Sequence, residues 1–405
     1  MRSVGGLVVW QFKLVCSSAL DMLKHFELSH RLQHQAQSVQ LRQLTTIKHG
    51  VTPTISMAGK KYVNFASNDY LGLASAPQVV AAFCEALQTA GQVGSGASHL
   101  VSGHHIWHDE LAATLAQTTG YPTALTFSTG YMANIAVLQA LCDKDSVIFS
   151  DRLNHASIVD GALLSRATLV RFAHRDYAAL ERRLASTDAK QKLIVTDHVF
   201  SMDGTCADLV HLHDLAQRYE AALVVDDAHG FGLPYQAAAL ADIYVGTLGK
   251  AIGTMGAFVA GEQTLIDYLV NVARPFIYTT AQPPALAKAT LTAIQIARTD
   301  NARQQQLQAN IFQLRTGLRE QGWQVGLASD TSTSWQTAIV PVIVGDNTRA
   351  LQLADHLRQA GIWATAIRPP TVPVGTARLR FCVSAAHSAD DIAALLDTMA
   401  HLRGA

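Results

Sequence analysis

Two segments of the 405-residue chain carry groups whose chemistry is complementary. In Val224-Val-Asp-Asp-Ala-His229 a short apolar run ends in two acids and a histidine. In Thr247-Leu-Gly-Lys-Ala-Ile-Gly253 a lysine, Lys250, sits between glycines just after the apolar run Ile243-Tyr-Val245. A lysine amine captures an aldehyde as an imine, and burial that depresses its pKa also fits it to remove a proton from carbon. A buried carboxylate such as Asp226 keeps a ring nitrogen protonated, so that the ring accepts electrons. The order and company of these groups suit pyridoxal 5'-phosphate (PLP) as cofactor. Asp227 is free for a structural hydrogen bond, and His229 is placed to reach the phenolic oxygen of the ring.

Other polar residues recur just after apolar runs. Ser128-Thr-Gly-Tyr-Met-Ala-Asn134 follows one run and opens a helix, a natural phosphate seat where Gly130 permits close approach. His155, in Asp151-Arg-Leu-Asn-His-Ala-Ser157, either stacks on the ring or caps the next helix; spacing leaves both open. Ser201 follows another run and suits a ring hydroxyl. Arg368, held by prolines in Ile367-Arg-Pro-Pro-Thr-Val-Pro373, has the bidentate geometry to hold a substrate carboxylate.

The elements that must position these groups are short β-branched runs alternating with helical patterns. Strands are expected at 123–127, 146–149, 168–172, 192–196, 222–226, 243–245 and 256–260, with helices at 77–90 and 106–119 and another from Tyr131. This is the pattern of βαβ units around a largely parallel sheet, whose sites lie at the carboxyl ends of the strands. A long helical segment, 283–321, leads to a smaller α+β unit with strands near 337–344 and 377–383 and a final helix from Ser388. Residues 22–48 read as an amphipathic arm. The expected division is an extension 1–21, an arm 22–60, a large domain 61–285 and a small C-terminal domain 286–405.

Composition excludes several classes. Thirty-one basic and 31 acidic residues cancel, which argues against a general nucleic-acid or membrane-surface binder. No apolar run reaches the roughly 18–20 residues of a membrane span. Gln11 and Lys13 interrupt the apolar start, so a start-site extension with Met22 as the functional beginning is the plainer reading than a signal peptide. Five scattered cysteines fit reduced thiols in a cytoplasmic protein. No metal is expected: His104, His105 and His108 come closest to a ligand set and read as polar loop and helix-face residues.

On these motifs the chain resembles the α-oxoamine synthases, fold-type I PLP enzymes that condense an amino acid with an acyl thioester and release CO2. The resemblance runs from about residue 22 to the end. It is carried by Asn64 to Leu73, Gly94-Ser-Gly96 to Gly103, Ser128 to Asn134, Asp151 to Ser157, Phe200 to Gly204, Val225 to Gly230, Thr247 to Lys250 and Arg368 to Arg380. Arg-Pro-Pro-Thr-Val-Pro favours the biotin-pathway branch, which joins L-alanine to a pimeloyl group carried by CoA or acyl carrier protein.

The resemblance implies Lys250 as the imine lysine, Asp226 as pyridine partner and His155 as the stacking residue. It implies Ser201 and His229 near the ring oxygen, Gly130 and Tyr131 flanking the cofactor, and Thr247 on the phosphate, with Thr280 reaching it from the neighbouring subunit of a homodimer. Asn68, Arg368 and Thr371 fall on the substrate side, and Arg42 matches a substrate arginine of the arm. Two departures stand out: Asp197-His198 where the family commonly has Glu-Gly, and Ser98-His99-Leu100 in the glycine loop. The rival readings are a relative using glycine and acetyl-CoA, a nucleotide-binding Rossmann protein, and a non-catalytic binding module of the same fold.

Overall fold

The computed structural model describes residues 23–37, 41–42, 44–50, 52–237, 239–326 and 337–404. The extension 1–21 and Met22 lie outside the described residues. The chain divides into two compact units, 1–46 and 47–405. In the first, a 3-10 turn, Leu23–Phe26, and a helix, Leu28–Gln37, bury no residue.

The second unit opens with a hairpin, β1 (Thr54–Met57) and β2 (Lys60–Asn64). The central sheet follows: β3 (Thr123–Phe127), β4 (Ser146–Asp151), β5 (Thr168–Phe172), β6 (Gln191–Asp197), β7 (Ala222–Asp226), β8 (Ile243–Thr247) and β9 (Ala257–Gly261). Its order is β3-β9-β8-β7-β6-β4-β5, parallel except where β9 runs against both neighbours. The largely parallel sheet expected from the βαβ pattern is what forms. β10 (Ile339–Gly345), β11 (Ile362–Trp363), β12 (Thr365–Ile367) and β13 (Ala377–Cys382) come last. β11 joins the hairpin, and β10-β13-β12 form an antiparallel sheet.

Burial follows from helices on both faces of the sheet. In β6, Ile194 enters one apolar cluster and Leu193 and Val195 the other. In β7, Leu223 and Val225 face one side and Val224 the other. Side chains alternate along a strand, so a sheet covered twice needs apolar residues at every position, and these strands read as continuous runs. All five residues of β8 and of β9 are buried.

The connections carry the site. β3, β4, β6, β7 and β8 end at the same edge of the sheet, and the reversed β9 begins there, so Thr254-Met-Gly256 joins that edge. The segment expected as one long helix is two, Pro284–Thr299 and Asn301–Glu320, broken where Asp300 caps the second by accepting the Arg303 N–H. Among the described residues no helix is long and apolar enough to cross a membrane.

Candidate active site

A cavity of about 330 Å³ lies at the carboxyl edge of the sheet. Its wall brings together residues from six loops: Asn68, Ser128 to Tyr131, His155, Asp197, Ser201, Asp226, His229, Thr247 and Lys250 among them. Eight of the sequence-derived positions (Asn68, Gly130, Tyr131, His155, Ser201, Asp226, His229 and Thr247) thus meet around Lys250. Arg368, Thr371 and Thr280 are not among the lining residues. Thr280 is exposed and pairs with Ser98 across an isolated bridge. Arg42 belongs to the first unit and is exposed.

Lys250 follows β8 in a turn that closes on itself: Leu248 N–H donates to Gly256 and Gly253 N–H to Lys250. Gly253 sits at φ +71, and a Cβ there would meet the Ala74 nitrogen at 2.3 Å, so this position requires glycine. Burial pushes the Lys250 ammonium down from 10.5 to about 8, against the opposing pull of Asp226 and Asp197.

Asp226 ends β7 rather than following it, and is buried. One carboxylate oxygen accepts the Ala228 N–H at 2.9 Å; the other accepts from Asn134 Nδ2 at 2.6 Å. Asp227 points the opposite way and is fully buried, accepting from His198 Nδ1 at 2.7 Å, Tyr244 Oη at 2.7 Å and the Ala237 N–H at 2.8 Å. It is therefore a framework acid, with His198 as a hydrogen-bond partner.

His155 caps the next helix, and its ring stands at the cavity wall. Its Nδ1 accepts the Ser157 N–H at 3.3 Å and so caps Ala156–Ser165, while the ring also lines the cavity beside Tyr131. Its backbone N–H donates to Asp197 at 3.1 Å. The other Asp197 oxygen is buried without a hydrogen-bond partner, and burial beside Asp226 raises this carboxyl well above its ordinary value.

His229 is buried with Nδ1 2.7 Å from Tyr70 Oη, and desolvation next to Lys250 drops it well below the usual imidazole range, so it is neutral. The helix Gly130–Leu141 presents its N-terminus to the cavity, with Thr129 Oγ1 accepting the Met132 N–H. A Cβ on Gly130 would stand 2.7 Å from Thr247 Cγ2, which explains the glycine there.

Three residues that contact the cavity wall cannot be picked out from the sequence. Asn134 belongs to the Ser128–Asn134 motif, but a position within a helix does not reveal its burial beside Asp226. Tyr70 belongs to the Asn64–Leu73 stretch but contacts His229, 159 positions away. Arg380 stands just behind the cavity wall, donating through Nε to the Ser201 carbonyl at 2.6 Å and through Nη2 to Asn68 Oδ1 at 3.2 Å. The signal was the alternation Arg378-Leu-Arg380 in an otherwise apolar strand: two buried arginines on one face require partners. Arg378 meets Asp203 at 2.6 Å.

Away from the cavity, His99, His104 and His108 bring ring nitrogens within 4.8 Å of one another. His99 and His104 share a hydrogen bond at 2.7 Å, His104 Nε2 meets Asp109 at 2.8 Å, and His108 accepts the His105 N–H and donates to the Gln282 carbonyl. These bonds occupy most of the lone pairs a metal would need, and His99 lies flat on Phe276.

The residues present fit PLP. A lysine shifted toward neutrality, a buried carboxylate fixed as an acceptor, an open imidazole face and a helix N-terminus surround one cavity, matching in turn the aldehyde, ring nitrogen, ring face and phosphate.

Comparison with known proteins agrees. The family model described as aminotransferase class I and II matches residues 60–399. An 8-amino-7-oxononanoate synthase of Methylobacillus flagellatus is 46% identical over 389 residues, covering 93% of this chain and 96% of its own. Another, of Aromatoleum aromaticum, is 50% identical over 363 residues, covering 86% and 91%. Among solved structures, a Sphingomonas wittichii serine palmitoyltransferase superposes with a TM-score of 0.86 at 29% identity, covering 94% of this chain and 98% of its own. An 8-amino-7-oxononanoate synthase of Francisella tularensis does so at 0.71 and 29%, covering 84% and 97%. The chain belongs to the class I and II aminotransferase family of fold-type I PLP enzymes, in the group of 8-amino-7-oxononanoate synthases.

Proposed function

We propose that the protein condenses L-alanine with a pimeloyl thioester, on CoA or acyl carrier protein, to give 8-amino-7-oxononanoate, CO2 and the free thiol in biotin biosynthesis. Relatives of that name at 46% and 50% identity support this over a glycine and acetyl-CoA enzyme. The two structural likenesses, both at 29% identity, do not discriminate substrates. The observation that carries the chemistry is Lys250, its amine lowered to about 8, on the same cavity wall as the fixed carboxylate of Asp226.

When bound, PLP supplies an electron sink for the pair left at the substrate α-carbon. Lys250 would hold the cofactor aldehyde, and its amine, lowered toward neutrality, would take the substrate Cα proton and later return one. Asp226 would pair with the ring N–H, His155 would offer its face to the ring, and Ser201 and His229 would serve the phenolic oxygen. Ser128 to Tyr131 and Thr247 would hold the phosphate. In the net reaction the Cα–carboxylate bond and the thioester C–S bond break and a Cα–acyl bond forms; the Cα proton removed at the start is replaced by one at the end, and CO2 and the protonated thiol depart.

Asn68 faces the substrate. Arg380, buried among neutral acceptors, and Arg368, in the loop after β12, are the two arginines for carboxylates, and the burial of Arg380 beside Asn68 favours it for alanine. Arg368 and Thr371 then serve the acyl donor, and Arg42 of the arm is kept as a separate substrate-binding candidate.

In this reading the protein is a cytoplasmic homodimer with the site at the subunit interface, where Thr280 completes the phosphate seat of the partner. The large domain spans 61–285 and the small domain 286–405. The test is the visible spectrum of purified protein during addition of L-alanine and then pimeloyl-CoA, with product mass determined. Spectral change and the 8-amino-7-oxononanoate mass are expected. A protein that turns over glycine with acetyl-CoA but not this pair would overturn the substrate reading.

A further inference from the structure

We propose that Asn134 is a positioning residue that links the Asp226 carboxylate to the His155 ring, with Ser157 as the intermediate joint. Asn134 and Ser157 are 2% and 0% exposed, too deep for water to substitute for either. Asn134 Nδ2 lies 2.6 Å from Asp226 Oδ2 and 2.9 Å from Ser157 Oγ, and Ser157 Oγ lies 2.8 Å from His155 Nδ1.

The hydrogen inventory gives this chain a direction. An amide nitrogen has two hydrogens to donate and accepts none, so one goes to the carboxylate and one to the serine oxygen. The carboxylate decides which way the amide faces, because the amide oxygen in that place would meet a second acceptor. Ser157 Oγ then has its own hydrogen left for His155 Nδ1, which also accepts the Ser157 backbone N–H at 3.3 Å. Both neighbours of Nδ1 bring hydrogens, so Nδ1 is bare and the neutral ring carries its proton on Nε2.

The backbone is built to keep the joint closed. A Cβ on Gly161 would stand 3.2 Å from the Asn134 carbonyl and 3.1 Å from Leu138 Cδ1. Glycine there lets Ala156–Ser165 lie close to Gly130–Leu141, within reach of the Asn134–Ser157 bond. One amide thereby orients the acid and, through the Ser157 hydroxyl, reinforces the tautomer that the Ser157 backbone N–H also selects.

The inference rests on the reading of Asp226 and His155 as cofactor contacts. The experiment measures PLP dissociation constants and the pH dependence of bound-cofactor absorbance in Asn134→Leu, Ser157→Ala, Ser157→Thr and Asp226→Asn. Asn134→Leu is expected to weaken PLP about tenfold, the scale of one hydrogen bond to a charged group, and to displace the pH profile. Ser157→Ala should shift the profile in the same direction by less, and Ser157→Thr, which keeps the hydroxyl, should restore it. The double variant Asn134→Leu/Ser157→Ala should be no worse than Asn134→Leu alone, because the chain is already broken at its first link.

Should Asn134→Leu fail to fold, Asn134→Asp keeps the volume and replaces the donors by an acceptor; its affinity should fall as pH rises. A twofold or smaller change in Asn134→Leu with an unmoved profile would overturn the proposal, as would effects of the two positions that simply add, or a pH-independent Asn134→Asp. If Asp226→Asn itself leaves binding and absorbance unchanged, the reading of Asp226 fails; if that variant is impaired while Asn134→Leu is normal, only the link fails.

Discussion

Tyr70 Oη lies 2.7 Å from Nδ1 of His229, and both side chains are buried. The same oxygen lies 3.2 Å from Asn68 Oδ1, so one hydroxyl ties the turn after β2 to the histidine after β7. Tyr70→Phe removes the oxygen and leaves the His229 nitrogen buried without a partner. The expected cost is about 1–3 kcal/mol of folding stability. Urea denaturation measures it, and PLP affinity should fall in parallel; an unchanged midpoint would show that His229 finds another partner.

Lys250→Ala should abolish turnover and the borohydride-reducible linkage to PLP. The same variant tests the pKa. The folded-state value near 8 is depressed from 10.5, so the unfolded chain binds more protons between those limits. The contribution of Lys250 to stability is therefore fully present above pH 10.5 and is lost as pH falls through 8. Apo wild type should gain stability relative to apo Lys250→Ala between pH 8 and 10.5, read as the difference of their urea midpoints. A constant difference across that window would contradict a depressed lysine.

Asp227→Asn targets the framework acid. The carboxylate satisfies His198, Tyr244 and the Ala237 N–H at once, and it is fully buried. Replacing the charged acceptor leaves these buried donors imperfectly paired, which typically costs about 1–3 kcal/mol. The loss should appear as a lower thermal midpoint of the apo protein. Asp226→Asn, by contrast, should impair catalysis more than stability, since that acid faces the cavity.

Arg380→Lys should raise the KM for L-alanine at least tenfold, since lysine cannot reproduce the fork that Arg380 directs at Ser201 and Asn68. Arg368→Ala should instead raise the KM for the pimeloyl thioester. Steady-state kinetics with each substrate varied separates them, and the reverse pattern would return the alanine carboxylate to Arg368.

The difference between those two arginines shows what a sequence makes legible. The buried sheet was readable because two covered faces demand unbroken apolar runs such as Leu223-Val-Val225. Helix limits at 77–90 and 106–119 were readable because Gly91 and Gly120, at φ 63 and 79, stop them in the left-handed conformation. The direction of β9 was not, since it depends on the path of the Lys250 turn. Neither was the break at Asp300, whose cap looks like any polar residue in a polar helix.

Site residues after strand ends could be found one by one, because each lies beside its own apolar run. Asn134 and Arg380 act on partners 92 and 179 positions away, and no local pattern marks such pairs. His155 was undecided between capping and stacking because one imidazole can cap through Nδ1 and still offer its face.

Thr280 gives a test of the dimer. It is exposed and absent from the lining of the cavity in its own chain, so a role on the phosphate requires it to act on another subunit. Thr280→Val should weaken PLP binding by itself. In a heterodimer of Thr280→Val with Lys250→Ala, one site draws Lys250 from the first chain and Thr280 from the second, and so is whole; the other lacks both. Co-expressed and separately tagged chains should therefore bind one PLP per dimer with wild-type affinity and recover about half the activity. If Thr280 served its own chain, both sites would be damaged, and no fully active site would form.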